Sequence, residues 1–306
     1  MHRHVEVSSD RAPHTAALLM IAASVFIALS TFLAKGIAGR FEVDATALHP
    51  LQVTAGRFIF AWVLWFAVVL VRRPEIHRIH WTLHIVRSFF GWATVTCLFW
   101  ASSRMALADA TAISFMTPVV TLILAVLILK ERVGPVRWSA VAIMMVGALI
   151  LLRPGTGAFQ PVALVALGAA LFSAVEATFI KKITALENRL QILFINNTLG
   201  MLIAVTAAYR VWQSPTLVQW GLLAAVGLSM SVAQVFFLTS MRDGEASYVI
   251  PFMYSTLIFA AVPDYLVFGD APDAAGFAGA LIIVAGAVFL ALREQALARQ
   301  KLSKPN

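Results

Sequence analysis

Few side chains in this sequence could do chemistry, and where each one falls limits what it could do. Glu176 interrupts the apolar run LFSAVEATFIKK, roughly one and a half helical turns before Lys181. A carboxylate there could bind a cation or carry a proton inside a cavity, or it could pair with Lys181 or Lys182. Arg57 and Arg87 stand near the starts of two other apolar runs. Arg57 could anchor an anionic solute, although both side chains are long enough to snorkel toward water. Lys35 is similar, near the end of the first run, and Asp264 has the sign to pair with a cation. Asn196 and Asn197 are adjacent, so on a helix one can bond a neighbouring helix while the other faces a cavity. Gln234 is a lone amide that suits either role. Ser114, with Thr117 and Thr121, lines one side of a further run, where hydroxyls also bond their own helix.

Aromatic faces could stack a planar or cationic solute. Trp92, Phe99 and Trp100 share one run, and Tyr248, Phe252 and Tyr254 share another; facing lipid is the alternative for each. Trp62, Trp65, Trp81 and Trp220 read as interface or lipid-facing residues. His77, His80 and His84 have helical spacing but stand among Arg72, Arg73, Arg78 and Arg87. They read as part of a basic membrane-facing surface, and neither a metal nor a cofactor is expected. Cys97 is the single cysteine, so an intrachain disulfide and a Cys-based zinc site are both excluded.

The elements that must position these groups follow from composition. The 306 residues are 60% hydrophobic and 12% charged. Soluble chains are about 45–50% apolar and about a quarter charged. A chain this apolar is a polytopic membrane protein. The apolar stretch from Ala16 to Ala34 exceeds a signal-peptide core and reads as a retained first helix.

A spanning helix needs about 20 mostly apolar residues. Ten candidates are found, at 16–38, 52–71, 83–103, 107–129, 137–153, 162–181, 191–209, 217–240, 246–268 and 274–292. Lys and Arg favour the cytoplasmic side. With both termini cytoplasmic, only Lys35, Arg40, Arg57, Arg104, Arg153 and Arg210 fall outside; the other 17 of the 23 lie inside. The formal charge of +8 is thereby accounted for by topology, without nucleic acid as a partner.

The run SFMTPVVTLILAVLILKERVGP (114–135) has a weaker copy, PFMYSTLIFAAVPDYLVFGDAP (251–272). A shift of 138 pairs Arg104 with Arg242; a shift of 139 pairs Glu131 with Asp270 and Gly147 with Gly286. The second copy has Asp270 for Glu and Thr256 opposite Pro118. Each unit of five spans is odd, so the copies lie inverted in the membrane, an arrangement typical of secondary transporters. The expected fold is all-α and integral to the membrane: ten transmembrane helices in two inverted five-helix repeats around a central cavity. The expected segments are 1–15 and 293–306 as cytoplasmic tails, 16–155 as the first repeat and 156–292 as the second.

These residues resemble a known group. The chain is similar to ten-helix members of the drug/metabolite transporter superfamily with two EamA-type domains, chiefly over residues 106–155 and 246–290. The resemblance implies a basket of helices that alternates its access, in the bacterial inner membrane. Glu131 and Asp270 each precede a proline that opens the next helix, where a carboxylate suits the helix N-terminus. They read as structural joints, with proton coupling as the alternative. Pro118, Pro251 and Pro263 kink helices that either wall a cavity or simply pack. Gly147 and Gly286, with Gly276 and Gly279, let helices approach closely.

No phosphate-binding loop of the Walker type appears, so direct ATP drive is not expected. No metal-protease or prenyl-transfer motif supports a membrane enzyme. The expectation is a secondary transporter of a small organic metabolite, with coupling to protons or a counter-solute. Few fixed charges and many aromatics point to a planar solute, riboflavin-like, with amino acids or S-adenosylmethionine as the alternative.

Overall fold

The structure is a computed structural model. It describes residues 13–38, 41, 46–74, 78–117, 119–120, 123, 134–152, 160–184, 186–243, 252–270 and 272–302. Pro118, Glu131, Tyr248 and Pro251 lie outside the described residues. Among the described residues there are ten α-helices and no strand. They are α1 (Pro13–Ile37), α2 (Pro50–Arg72), α3 (Trp81–Ser102), α4 (Leu107–Ser114), α5 (Pro135–Leu152), α6 (Val162–Thr184), α7 (Arg189–Ala208), α8 (Leu217–Asp243), α9 (Thr256–Phe268) and α10 (Ala274–Leu302).

Local chemistry sets their ends. Pro50 opens α2 behind His49, whose Nδ1 accepts the Leu51 N–H at 3.2 Å. The Asn188 side chain caps α7 by accepting the Gln191 N–H at 2.9 Å. Gly269, at φ 70°, closes α9 in a left-handed conformation that a Cβ would strain. Asp273 caps α10 by accepting the Gly276 N–H at 2.8 Å. Five stretches are long and apolar enough to cross a bilayer: Thr15–Ile37, Pro50–Arg72, Val162–Ile180, Arg189–Val211 and Leu217–Ser240. Three shorter apolar helices join them. The protein is an all-helical, multi-pass membrane protein.

Two of the helical segments are broken at matching places. Past α4, Phe115 and Met116 form a turn before helical backbone resumes at Thr117; ahead of α9, Tyr254 and Ser255 do the same before Thr256. The Met116 N–H donates to Ile113 at 3.0 Å and the Ser255 N–H to Phe252 at 3.1 Å. Thr117 Oγ1 donates to the Ser114 carbonyl at 2.8 Å, and Thr256 Oγ1 to the Met253 carbonyl at 2.6 Å. The counterpart of Thr256 is therefore Thr117, a correction of one residue to the alignment that set it opposite Pro118. The Phe115 and Tyr254 rings meet edge to face, with centroids 4.8 Å apart.

The packing follows the same regularity. Helix α1 packs on α8 and α9, while α6 packs on α3 and α4. Helix α2 meets α7 and α8, α3 meets α7, α4 meets α9, and α5 meets α10. Adding or subtracting five turns each of these contacts into another of the set or into itself. At the α5–α10 crossing, a Cβ on Gly147 would lie 2.8 Å from the Gly279 carbonyl and 2.9 Å from Ile283, and one on Gly286 would lie 2.7 Å from Met144. Met144 and Ile283 stand 139 residues apart, as Gly147 and Gly286 do.

Hydrogen-bonded clusters around buried carboxylates tie both ends of the bundle. At one end the side chain of Lys35 has no exposed surface, and its Nζ donates to Asp264 at 2.7 Å and to Asp270 at 2.8 Å. Asp264 also accepts the Leu107 N–H at 2.9 Å, so one carboxylate joins α1, α4 and α9. Asp270, expected to serve the start of α10, thus reaches Lys35, and Asp273 supplies the cap. At the other end Glu187 accepts from the His80 N–H at 2.8 Å and from Gln191 Nε2 at 2.6 Å, and bonds the His84 ring at 2.8 Å. His84 is fully buried, so it is a structural partner and not part of a membrane-facing basic surface. Burial acts to raise the Glu187 carboxyl, but the bonds from the His80 N–H, the His84 ring and the His80 ring outweigh it and hold it below the usual carboxylate range. Trp65, expected at an interface, is likewise buried, against Leu193 between α2 and α7.

Three outcomes follow. Lys35→Met should cost about 3–5 kcal/mol by leaving Asp264 buried without its cation; thermal unfolding in detergent should show the loss, and adding Asp264→Asn should recover most of it. Gly147→Val should cost about 1–3 kcal/mol by overpacking against helix backbone, while Gly221→Ala, with nothing within 4 Å, should be neutral in the same measurement. A carboxyl lowered in the folded state gives stability that is present above its unfolded value, about pH 4.3, and lost as pH falls through the folded one. The advantage of the native protein over Glu187→Gln should therefore shrink on acidification below that point, read from unfolding midpoints at successive pH values.

Candidate functional site

Three ionisable side chains converge between α2, α3 and α6. Arg57 stands about two turns into α2 and Arg87 just under two turns into α3. Both are buried, at 2% and 3% exposure, so neither snorkels to water. Glu176 comes from α6, which packs along α3. Its carboxylate lies in electrostatic range of both guanidiniums. It rests against the backbone of Gly91, where a Cβ would fall 2.7 Å from Oε1. Only glycine at 91 lets α6 bring a carboxylate so close to the axis of α3.

The three charges do not close on one another. Among the described residues no ion pair within 4.0 Å joins Glu176 to either arginine, in contrast to Lys35. Nε and Nη1 of both arginines are buried with no hydrogen-bond partner. Leaving buried charged donors unused is costly. Residues of α7 continue the polar surface: Ser88 Oγ donates to Asn196 Oδ1 at 3.2 Å, while Asn197 donates to the Leu193 carbonyl and its Oδ1 has no partner. Asn196 thus bonds a neighbouring helix, and Asn197 keeps a free acceptor. Trp92 Nε1 and Gln234 Oε1 are also buried without partners.

The remaining residues singled out in the sequence lie elsewhere. Trp100 sits between His49, 5.3 Å away edge to face, and Arg104, whose guanidinium is 5.2 Å from its ring. Ser114 donates to the Thr111 carbonyl at 2.7 Å beside the break after α4. Tyr254 is buried in the apolar core with Phe115, Met144 and Ile283. Phe252 packs with Ala16 and Met20. Phe99 is buried with Val95 and Leu223. Lys182 is exposed and lies over the Phe179 ring at 5.8 Å. An open groove of about 160 Å³ lined by Val69, Trp81, Phe194 and Leu199 lies away from the charged trio, and its walls are almost wholly apolar.

Sequence reasoning singled out Glu176 and Arg57 but gave Arg87 no partner and gave Ser88 and Gly91 no part. The signal was local: Arg87, Ser88 and Gly91 are spaced to share one side of α3. Glu187 was missed because its partners come from the start of another helix.

Comparisons with known proteins agree with this architecture. A crystal structure of a protein 19% identical in sequence superposes over 93% of this chain and 99% of its own, with a TM-score of 0.63, so the two share a fold. The S-adenosylmethionine uptake transporter of Rickettsia bellii (strain RML369-C) is 29% identical over 84% of this chain and 89% of its own length. The pseudopaline exporter CntI of Pseudomonas aeruginosa is 28% identical over 67% of this chain and 73% of its own. The riboflavin transporter of Vibrio cholerae serotype O1 is 25% identical over 94% of this chain and 97% of its own. The EamA-like transporter family matches twice, over residues 14–153 and 160–292, and together these cover most of the sequence: this chain belongs to the EamA-like transporter family.

Proposed function

We propose that this protein is a secondary transporter that moves a small organic metabolite by alternating access. In this reading ten helices span the bacterial inner membrane with both termini cytoplasmic. Segments 16–155 and 156–292 are two inverted repeats, flanked by the tails 1–15 and 293–306. The exchange of packing partners under a shift of five helices supports the repeat, as do the matching breaks before Thr117 and Thr256. Broken helices in corresponding halves are where transporters place their substrate and ion sites.

The observation that carries the proposal is the charged trio of two buried arginines and the half-buried Glu176. Arg57 and Arg87 belong to the first repeat, and Glu176 to the second. Ionisable groups inside a membrane bundle are costly and mark substrate or ion pathways. Here they stand at the seam along which the repeats would move. Asn196, Asn197, Gln234 and Trp92 extend the site with amide and indole groups. Trp100, Ser114, Phe252 and Tyr254 belong to other parts of the bundle and are left out of this site. The Lys35 cluster and the Glu187 cluster close opposite ends of the bundle, so each conformational change has a hydrogen-bonded cluster to release.

Relatives named for S-adenosylmethionine, pseudopaline and riboflavin support a small metabolite as cargo. Two unmatched guanidiniums favour a charged solute over a neutral riboflavin-like one. Without an ATP-binding loop, the energy comes from a proton or counter-solute gradient.

The test is uptake into liposomes holding the purified protein, with candidate metabolites supplied against a gradient. Glu176→Gln and Arg57→Gln should each lower the initial rate by at least about tenfold, a loss of about 1.4 kcal/mol or more, with unchanged folding yield. Lys182→Gln, at an exposed position, should leave the rate unaltered. Native rates in both site variants would overturn the proposal.

A further inference from the structure

The charged trio can be compared with the other buried charges in the same protein. Lys35 has closed on its carboxylates at 2.7 Å and 2.8 Å, as a structural ion cluster does. Arg57, Arg87 and Glu176 have not closed, and four guanidinium nitrogens stay buried without an acceptor. The trio carries one more positive charge than negative. A neutral acceptor could use these donors but would leave the guanidinium charges without a counter-charge, so an occupant with an anionic acceptor fits them better.

A carboxylate placed on the arginines would come near Glu176, a second acidic group in electrostatic range of both. Two carboxylates repel unless a cation stands between them. In an α-amino acid the ammonium is attached one carbon away from the carboxylate, so a single small head group supplies both charges at once. Gly91 keeps the side of α3 facing Glu176 free of a side chain.

We infer that this site binds an α-amino-acid head group, with its carboxylate on Arg57 and Arg87 and its ammonium on Glu176. The inference rests on the transport reading above and names the chemistry of its cargo. The rest of the solute lies outside this recognition, which allows head groups to be shared by solutes with quite different tails.

Binding to the full-length protein purified in detergent tests it, by thermal shift and calorimetry. The probes are S-adenosylmethionine, L-methionine and L-phenylalanine. Each is set against its decarboxylated counterpart, L-phenylalanine also against 3-phenylpropionate, and riboflavin serves as the neutral solute. At least one amino acid should bind, and removing its carboxylate should weaken binding by at least about tenfold. Arg87→Gln should abolish that discrimination, and Glu176→Gln should abolish discrimination against the molecule lacking the ammonium. Unfolding midpoints near the native value identify variants that are intact. The inference is overturned if no amino acid binds at millimolar concentration, if the decarboxylated molecules bind equally well, or if both discriminations survive the substitutions. A protein that binds amino acids but moves nothing into liposomes would sink the transport reading alone. One that carries riboflavin and ignores every amino acid would sink the head-group inference alone.

Discussion

Lys35 has no exposed side-chain surface, so its ammonium must find its counter-charge within the protein. Moving an unpaired charge from water into an apolar interior is too costly for a fold with a few kcal/mol to spare. That constraint decides how the end of α1 meets α4 and α9. Asp264 answers Lys35 with one oxygen and holds the first N–H of α4 with the other. Asp270 completes the pair from beyond the turn at Gly269. The bundle can close at this end only in the one arrangement that brings all four together.

The same constraint acts at Arg57, Arg87 and Glu176, with a different result. Their charges lie close enough to feel one another and too far apart to neutralise directly. Gly91 lets the carboxylate in, and the length of the arginine side chains lets them stay buried while leaving donors unused. A protein that only needed stability would close such a gap or replace these residues by apolar ones, since buried ion pairs rarely add net stability over well-packed hydrophobes. Charges held near one another without closing are what the transport reading proposed above requires.

Between these charged points the packing is dominated by small residues. Lipid tails are as apolar as leucine, so helices gain little from burying oil and rely on close approach. Gly147 against Ile283 and Gly286 against Met144 are one contact made twice, as are the Thr117 and Thr256 bonds beside the two breaks. The edge-to-face pair of Phe115 and Tyr254 joins residues that are counterparts of each other.

Much of this was legible in the chain before any coordinates. Composition and apolar run length determined the membrane class, because spanning segments must satisfy their own backbone and present an apolar surface. The runs around Phe115 and Tyr254 resemble each other in sequence and hold turns of the same form, and Glu176 and Arg57 declared themselves as charges inside apolar runs. What the sequence could not decide was which charges meet. Lys35 and Asp264 are 229 residues apart, and His84 and Glu187 are 103 apart. Nothing in local spacing separates Arg57, which stays buried, from an arginine that snorkels. Nor does it separate His84, clasped by a carboxylate, from a histidine on a basic surface. Hydropathy depends on each residue and its neighbours along the chain, so the sequence alone determines it. Charge pairing depends on distance through space, and only the packing of one helix on another creates it.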